Sequence, residues 1–187
     1  MSNRGQTEMV FRRARPDEIG AVYQAYDHIR EHLSKTVQFP HWHTENHPRP
    51  AMINKWVEAG ELYIATPAET QETVGVIAGV VVLDHNSADD YAAAQWSVEA
   101  ARERALIVHV LGVVPDYLGT GVSRFLVESA IETARDRGCL TVRLDVLADN
   151  TPAHRLYVRC GFRDLGLHTI RYDGTDLDQF HLYEYVL

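Results

Sequence analysis

The sequence predicts a mixed α/β domain built around one sheet, and three observations carry that prediction. Segments of helical period and segments of strand period follow one another as strand, two helices, three strands, helix, strand, helix, two strands. With 187 residues, 45% of them hydrophobic, the chain is long enough to bury one full core. No Pro/Gly/Ser-rich stretch divides it, so residues 1–187 are expected to form a single domain.

Residues 8–13 alternate in polarity and predict a short strand. Pro16 and Asp17 open a helix with an apolar face of Ile19, Val22, Tyr23, Tyr26 and Ile29. Residues 34–50, rich in proline and histidine, predict a loop. Residues 51–59 predict a short helix closed by Gly60, with Met52, Ile53, Trp56 and Val57 turned inward. Strands are expected at 62–65 and 73–83, the second so uniformly apolar that both of its faces should be buried. Residues 84–104 are mixed, with a short helix near 91–102. Residues 105–114 form an apolar strand interrupted by His109 and ended by Pro115. After a glycine turn, 122–137 predicts a helix with Leu126, Val127, Ala130, Ile131 and Ala134 inward. Residues 141–147 alternate, Thr151 is a good N-cap with Pro152 first in the next helix, and Gly161 stops that helix. Strands at 168–172 and 179–187 finish the chain.

A net charge of −8 argues against a nucleic-acid partner and suits a cationic small molecule or peptide. No apolar run approaches the ~20 residues of a membrane span, and residues 1–9 lack a signal-peptide core. Cys139 and Cys160 make no spaced framework. The expectation is a cytoplasmic protein with free thiols, a monomer or homodimer, bound to neither membrane nor nucleic acid.

The most informative segment is the strand-to-helix turn at 113–123. There, glycines precede a helix whose first N–H groups have no helical partner and share the positive end of its dipole. Such a turn suits a pyrophosphate, although it is neither a Walker loop nor a dinucleotide fingerprint.

A second motif lies downstream at 150–162. Together the two resemble the GNAT superfamily of acyl-CoA N-acyltransferases. The family's turn, Arg/Gln-x-x-Gly-x-Gly/Ala, here reads Leu118-Gly119-Thr120-Gly121-Val122-Ser123, with Leu118 and Ser123 departing from the pattern. Its later motif, Asn-x-x-Ala-x-x-Leu-Tyr-x-x-x-Gly-Phe, is matched at Asn150, Ala153, Leu156, Tyr157, Gly161 and Phe162. The resemblance is specific over 105–162 and rests on element order elsewhere. It implies a GNAT-like single domain with a central, mostly antiparallel sheet, splayed central strands and flanking helices. It also implies acetyl-CoA as co-substrate without a metal. The pantetheine arm would lie in the splay, pairing with backbone at Leu111, Gly112 and Val113. The turn from Leu118 to Ser123 would take the pyrophosphate, Asn150 would help hold the arm, and Tyr157 would reach the sulfur.

Acetyl transfer needs a neutral amine, whereas alkyl amines have pKa values near ~10.4. His109, a titratable group in an apolar strand, is the candidate base, and strict alternation places it on one face with Leu111 and Val113. Tyr157 is the candidate acid for the departing thiolate. By family position, Tyr26, Trp42, Asp84 and Trp96 would line the acceptor pocket.

Two other readings compete. His28 and His32, in an H-x-x-E-H spacing, share a helix face, and with His41, His43 or His47 could bind zinc as in a hydrolase. A non-catalytic acyl-CoA sensor is the other, for which the Leu118 departure leaves room.

Overall fold

A computed structural model describes residues 8–36, 41–42, 46–68 and 75–187. In chain order the elements are β1 (Met9–Arg13), α1 (Ile19–Lys35), α2 (Pro50–Glu58), β2 (Leu62–Pro67), β3 (Gly79–Asp84), β4 (Ala105–Val113), α3 (Val122–Asp136), β5 (Thr141–Leu147), α4 (Thr151–Arg159), β6 (Arg163–Thr169) and β7 (Gln179–Val186). The predicted order of strands and helices holds throughout.

The strands form one seven-stranded sheet, ordered β1-β2-β3-β4-β5-β7-β6. Every neighbouring pair is antiparallel except β4 with β5. All residues of β2 and β3 are buried, as a strand covered on both faces requires. One face carries α3 and α4. The stripe Val122, Leu126, Val127, Ala130, Ile131 and Ala134 packs there against Leu106, Val108, Val142, Leu144 and Val146. On the other face, Val22, Ala25, Tyr26, Ile29 and Leu33 of α1 pack with Ile53 and Val57 of α2 over Ile64, Val80 and Val82. A third cluster, Tyr91 with Ile107, Ile170, Phe180 and Leu182, continues the core toward β7.

Several local expectations are corrected. Residues 84–104 hold no helix over 91–102, only the 3-10 turns Asp89–Ala93 and Arg102–Arg104. The segment is fastened by polar contacts instead. The Arg143 guanidinium lies 4.2 Å over the Trp96 ring and donates to the Val98 carbonyl at 2.5 Å, while Glu184 accepts from the Ser97 N–H at 2.6 Å. The expected strand 73–83 begins only at Gly79, and residues 73–74 lie outside the described set. β6 runs Arg163–Thr169 rather than 168–172. It is an edge strand with much exposure and a register shift between Asp164 and Leu167, so apolar alternation is weak there. Asn150, not Thr151, caps α4, its side chain accepting from the Ala153 N–H at 3.3 Å.

Gly79 marks the tightest seam between sheet and helix. A Cβ there would stand 2.9 Å from Leu126 Cδ1, 3.0 Å from Val122 Cγ1 and 3.1 Å from the Gly112 carbonyl oxygen. Gly79→Val should therefore overpack the α3 face and cost about 1–3 kcal/mol. Urea unfolding beside the wild type checks this, and an unchanged midpoint would show that the seam can relax.

Candidate active site

β4 and β5 pair only from Ala105↔Thr141 to Ile107↔Arg143. Beyond Ile107 they part, and a cavity of about 360 Å3 occupies the gap. Its walls include Val108, His109, Val110 and Leu111 from β4, and Asp145, Val146 and Leu147 from β5.

The geometry of β4 at this point rests on a bulge. Val82 pairs with His109 but Val80 pairs with Gly112, so β4 carries one residue more than β3, and Val110 has a φ of 43°. The Tyr26 hydroxyl donates to the Val110 carbonyl at 3.3 Å. The extra residue shifts the phase of the strand. Leu111 and Val113 pack on the α3 face with Leu106 and Val108, whereas His109 lies on the opposite face beside Val82. The alternation that puts His109, Leu111 and Val113 together is thus overturned.

His109 Nε2 lies 3.0 Å from Asp84 Oδ1, and 23% of the histidine side chain remains accessible against 6% of the aspartate. Burial disfavours the imidazolium. The hydrogen bond and charge of Asp84 outweigh it, with Asp145 and Glu61 adding to the effect, and the His109 pKa is raised. Burial likewise pushes Asp84 upward, but His109 and Asn86 hold its pKa below the ordinary value.

Tyr157 enters from the other face. It is buried on α4, lines the cavity, and its hydroxyl has no hydrogen-bond partner among the described residues. Burial raises its pKa well above the ordinary phenol value, and the charge of Asp145 adds to this. The phenol is therefore neutral at physiological pH and carries its proton. The splay is what lets His109 from one face and Tyr157 from the other reach one space.

At the far end of β4, Gly119 and Gly121 have φ of 75° and 97°, and a Cβ on either would meet nothing within 4 Å. Gly121 is the N-cap of α3, and the first helical bond runs from the Phe125 N–H to its carbonyl at 3.0 Å. The N–H groups of Val122 and Ser123 thus precede the helical ladder, beside Thr120 and an exposed Leu118. Gly112 is buried under α1, where a Cβ would stand 2.8 Å from Ile29 Cδ1 and 3.2 Å from the Trp42 ring.

Of the residues expected around the acceptor, Trp42 lines the cavity. Tyr26 does not; it is fully buried and supports the bulge. Asp84 stands behind His109 instead of facing the cavity. Trp96 lies under Arg143 and donates to the Tyr91 carbonyl at 2.9 Å. Asn150 lines the cavity while capping α4. Sequence reasoning missed Asp145, which accepts from Tyr91 at 2.6 Å and Tyr172 at 2.7 Å. The available signal was a carboxylate on the polar side of a strand due to be central. His28 is exposed, His43 lies outside the described residues, and among those described no three His, Cys, Asp or Glu side chains are grouped to hold a metal. No described helix is long and apolar enough to cross a membrane.

This fold and slot define a class, and comparison with known proteins gives it a name. The model of the acetyltransferase (GNAT) family matches residues 23–162, and the chain belongs to that family. It is 31% identical over 118 residues to mycothiol acetyltransferase of Jonesia denitrificans, covering 63% of this chain and 32% of that protein. It is 34% identical over 91 residues to streptothricin acetyltransferase of Streptomyces lavendulae, covering 49% and 47%. The chain thus spans less than half the length of these relatives. In fold it is similar to a GNAT acetyltransferase from Streptococcus agalactiae, at TM-score 0.78 and 18% identity over 99% of both chains. It is also similar to NAA60 of Arabidopsis thaliana in complex with acetyl-CoA, at TM-score 0.71 and 20% identity over 96% of this chain and 100% of that one.

The His109–Asp84 pair makes a measurable claim. Resolved by NMR, the His109 ring should titrate above ~6.5, and lower in Asp84→Asn than in the wild type. Because the folded His109 pKa is raised, the pair's contribution to stability is complete below the unfolded pKa of ~6.5 while Asp84 stays ionised, and is lost as pH rises through the folded histidine value. With the Asp84 pKa lowered, it is lost again as pH falls through the folded carboxylate value. A titration indifferent to the substitution would break the pairing argument.

Proposed function

We propose that this protein is an acyl-CoA-dependent N-acetyltransferase. It moves an acetyl group from acetyl-CoA directly to a primary amine of a small molecule or peptide. The observation that carries this reading is the slot between β4 and β5, where His109 and Tyr157 come to one cavity from opposite faces of the sheet. Membership of the acetyltransferase family and the two acetyltransferase relatives support it. The sensor alternative gains nothing from the site, because both proton-handling groups reach the cavity.

The residues present fit the co-substrate. Gly119 and Gly121 leave open space over the start of α3, where the N–H groups of Val122 and Ser123 suit a pyrophosphate. Leu111, Gly112 and Val113 offer a backbone edge that β5 leaves unpaired, and Asn150 stands across the gap. Leu118, exposed beside the turn, would contribute backbone only. Acetyl-CoA supplies the activated acyl group as a thioester.

The reaction consumes an ammonium ion and acetyl-CoA and gives an amide, CoA thiol and one proton. The amine loses a proton, forms the C–N bond and sheds its second proton as the C–S bond breaks. His109 accepts a proton from the nitrogen, and Asp84 stabilises the imidazolium so formed. Tyr157 donates its hydroxyl proton to the departing sulfur and is reprotonated through the solvent-accessible cavity. Unpaired cysteines agree with a cytoplasmic location, and the charge of −8 with neither nucleic acid nor an anionic membrane as partner, the protein acting as a monomer or homodimer.

Acetyl-CoA should raise the melting temperature, since a ligand selective for the native state stabilises it. Absence of a shift at saturating acetyl-CoA and at saturating CoA removes the assignment.

Kinetics separate the two proton carriers. Tyr157→Phe should lower kcat by about 100-fold with little change in the acetyl-CoA KM. His109→Ala should lower kcat/KM and abolish an acidic limb lying above pH ~6.5, because a base fails as it becomes protonated and this one has a raised pKa. An unaltered limb in His109→Ala means that the proton leaves by another route.

A further inference from the structure

Alternation along β5 sends Val142, Leu144 and Val146 to the α3 face and Asp145 to the other. There one carboxylate oxygen, Oδ1, takes both tyrosine donors, Tyr91 at 2.6 Å and Tyr172 at 2.7 Å. The second oxygen has no hydrogen-bond partner among the described residues, and the carboxylate lines the same cavity as His109 and Tyr157. Two donors on one oxygen, held by side chains from two different segments, fix the direction of the other. The cavity around it is walled by Trp42, Trp56 and Tyr172, with Arg49 also on its lining. Asp145 forms no ion pair with Arg49 or with any other described residue, and a carboxylate oxygen so placed beside aromatic rings has the chemistry to hold an ammonium group.

That ammonium is not the reacting nitrogen. The attacking amine must be neutral, and an ion pair with Asp145 would keep it protonated. A nitrogen that stays paired through the reaction is therefore a second one. We propose that Asp145 is a specificity-determining residue and that the acceptor carries two amino groups, as a small diamine or diamino acid. One is acetylated between His109 and Tyr157, and the other stays protonated against Asp145 Oδ2. The inference rests on the acetyl-transfer reading and names the substrate class of that site.

The test is a set of matched acceptors assayed by thiol release from acetyl-CoA. Putrescine is paired with n-pentylamine and cadaverine with n-hexylamine, so that a methyl group replaces the distal ammonium; lysine and ornithine represent the diamino acids. The wild type should favour the dicationic member of at least one pair, or a diamino acid over both monoamines, by about 10- to 100-fold in kcat/KM. In Asp145→Asn, which keeps an acceptor oxygen for the two tyrosines, that preference should collapse toward unity. The change should appear in the acceptor KM, with the acetyl-CoA KM unmoved. Should this variant fail to fold, the wild-type preference and its decline with added salt decide the matter. Turnover without preference for a second amino group overturns the proposal, as does equal loss on both members of each pair in Asp145→Asn. If no amine releases thiol, the acetyl-transfer reading falls first and takes this one with it.

Discussion

The parting of β4 from β5 is the constraint on which the site depends. Pairing after Ile107 would close the sheet, bury the backbone of 108–113 against β5 and leave no cavity. Held apart, the two strands expose polar backbone that needs other partners. Part of that need is met inside the protein, where the Tyr26 hydroxyl takes the Val110 carbonyl. The remainder of the β4 edge is left unpaired by β5, and in the proposed function it takes the pantetheine arm. A bulge in the same stretch turns His109 away from the face of Leu111 and Val113, so a single strand serves both sides of the slot.

From this follows a division of labour by face. The α3 side has the glycine turn, the helix N-terminus and Tyr157, groups that in the proposed function bind an anion and donate a proton. The α1 side has the Asp84–His109 pair, Asp145, Arg49 and the aromatic rings, and in the proposed function its carboxylates and imidazole handle the amine. The sheet keeps the two apart everywhere except at the slot. A chain of net charge −8 also favours the approach of positively charged molecules.

Much of the fold was legible because its signals are local. The stripes of α1 and α3, the stop at Pro115, the glycine turn and the 150–162 motif can each be read within a few residues, and all appear as elements. What escaped depends on pairing. No periodicity within β4 reveals that it holds one residue more than β3, so strict alternation misplaced His109 relative to Leu111. Tyr26 and Trp96 look like pocket residues by segment, but one bonds a bulge carbonyl and the other an arginine, contacts that only the assembled fold defines. Asp145 was passed over because its partners, Tyr91 and Tyr172, lie 54 and 27 residues away in sequence.

The polar anchorage of residues 84–104 has a consequence for behaviour in salt. Arg143 and Glu184 are 8% and 1% exposed, and they hold this segment from within the protein. Dissolved ions screen such contacts weakly, in contrast to surface pairs such as Glu31 with Lys35 or Arg124 with Glu128. Tyr91, on the same segment, thus keeps its grip on Asp145 over a wide range of ionic strength. Salt would reach the attraction between the cavity and a charged acceptor while leaving the wall that shapes the cavity in place.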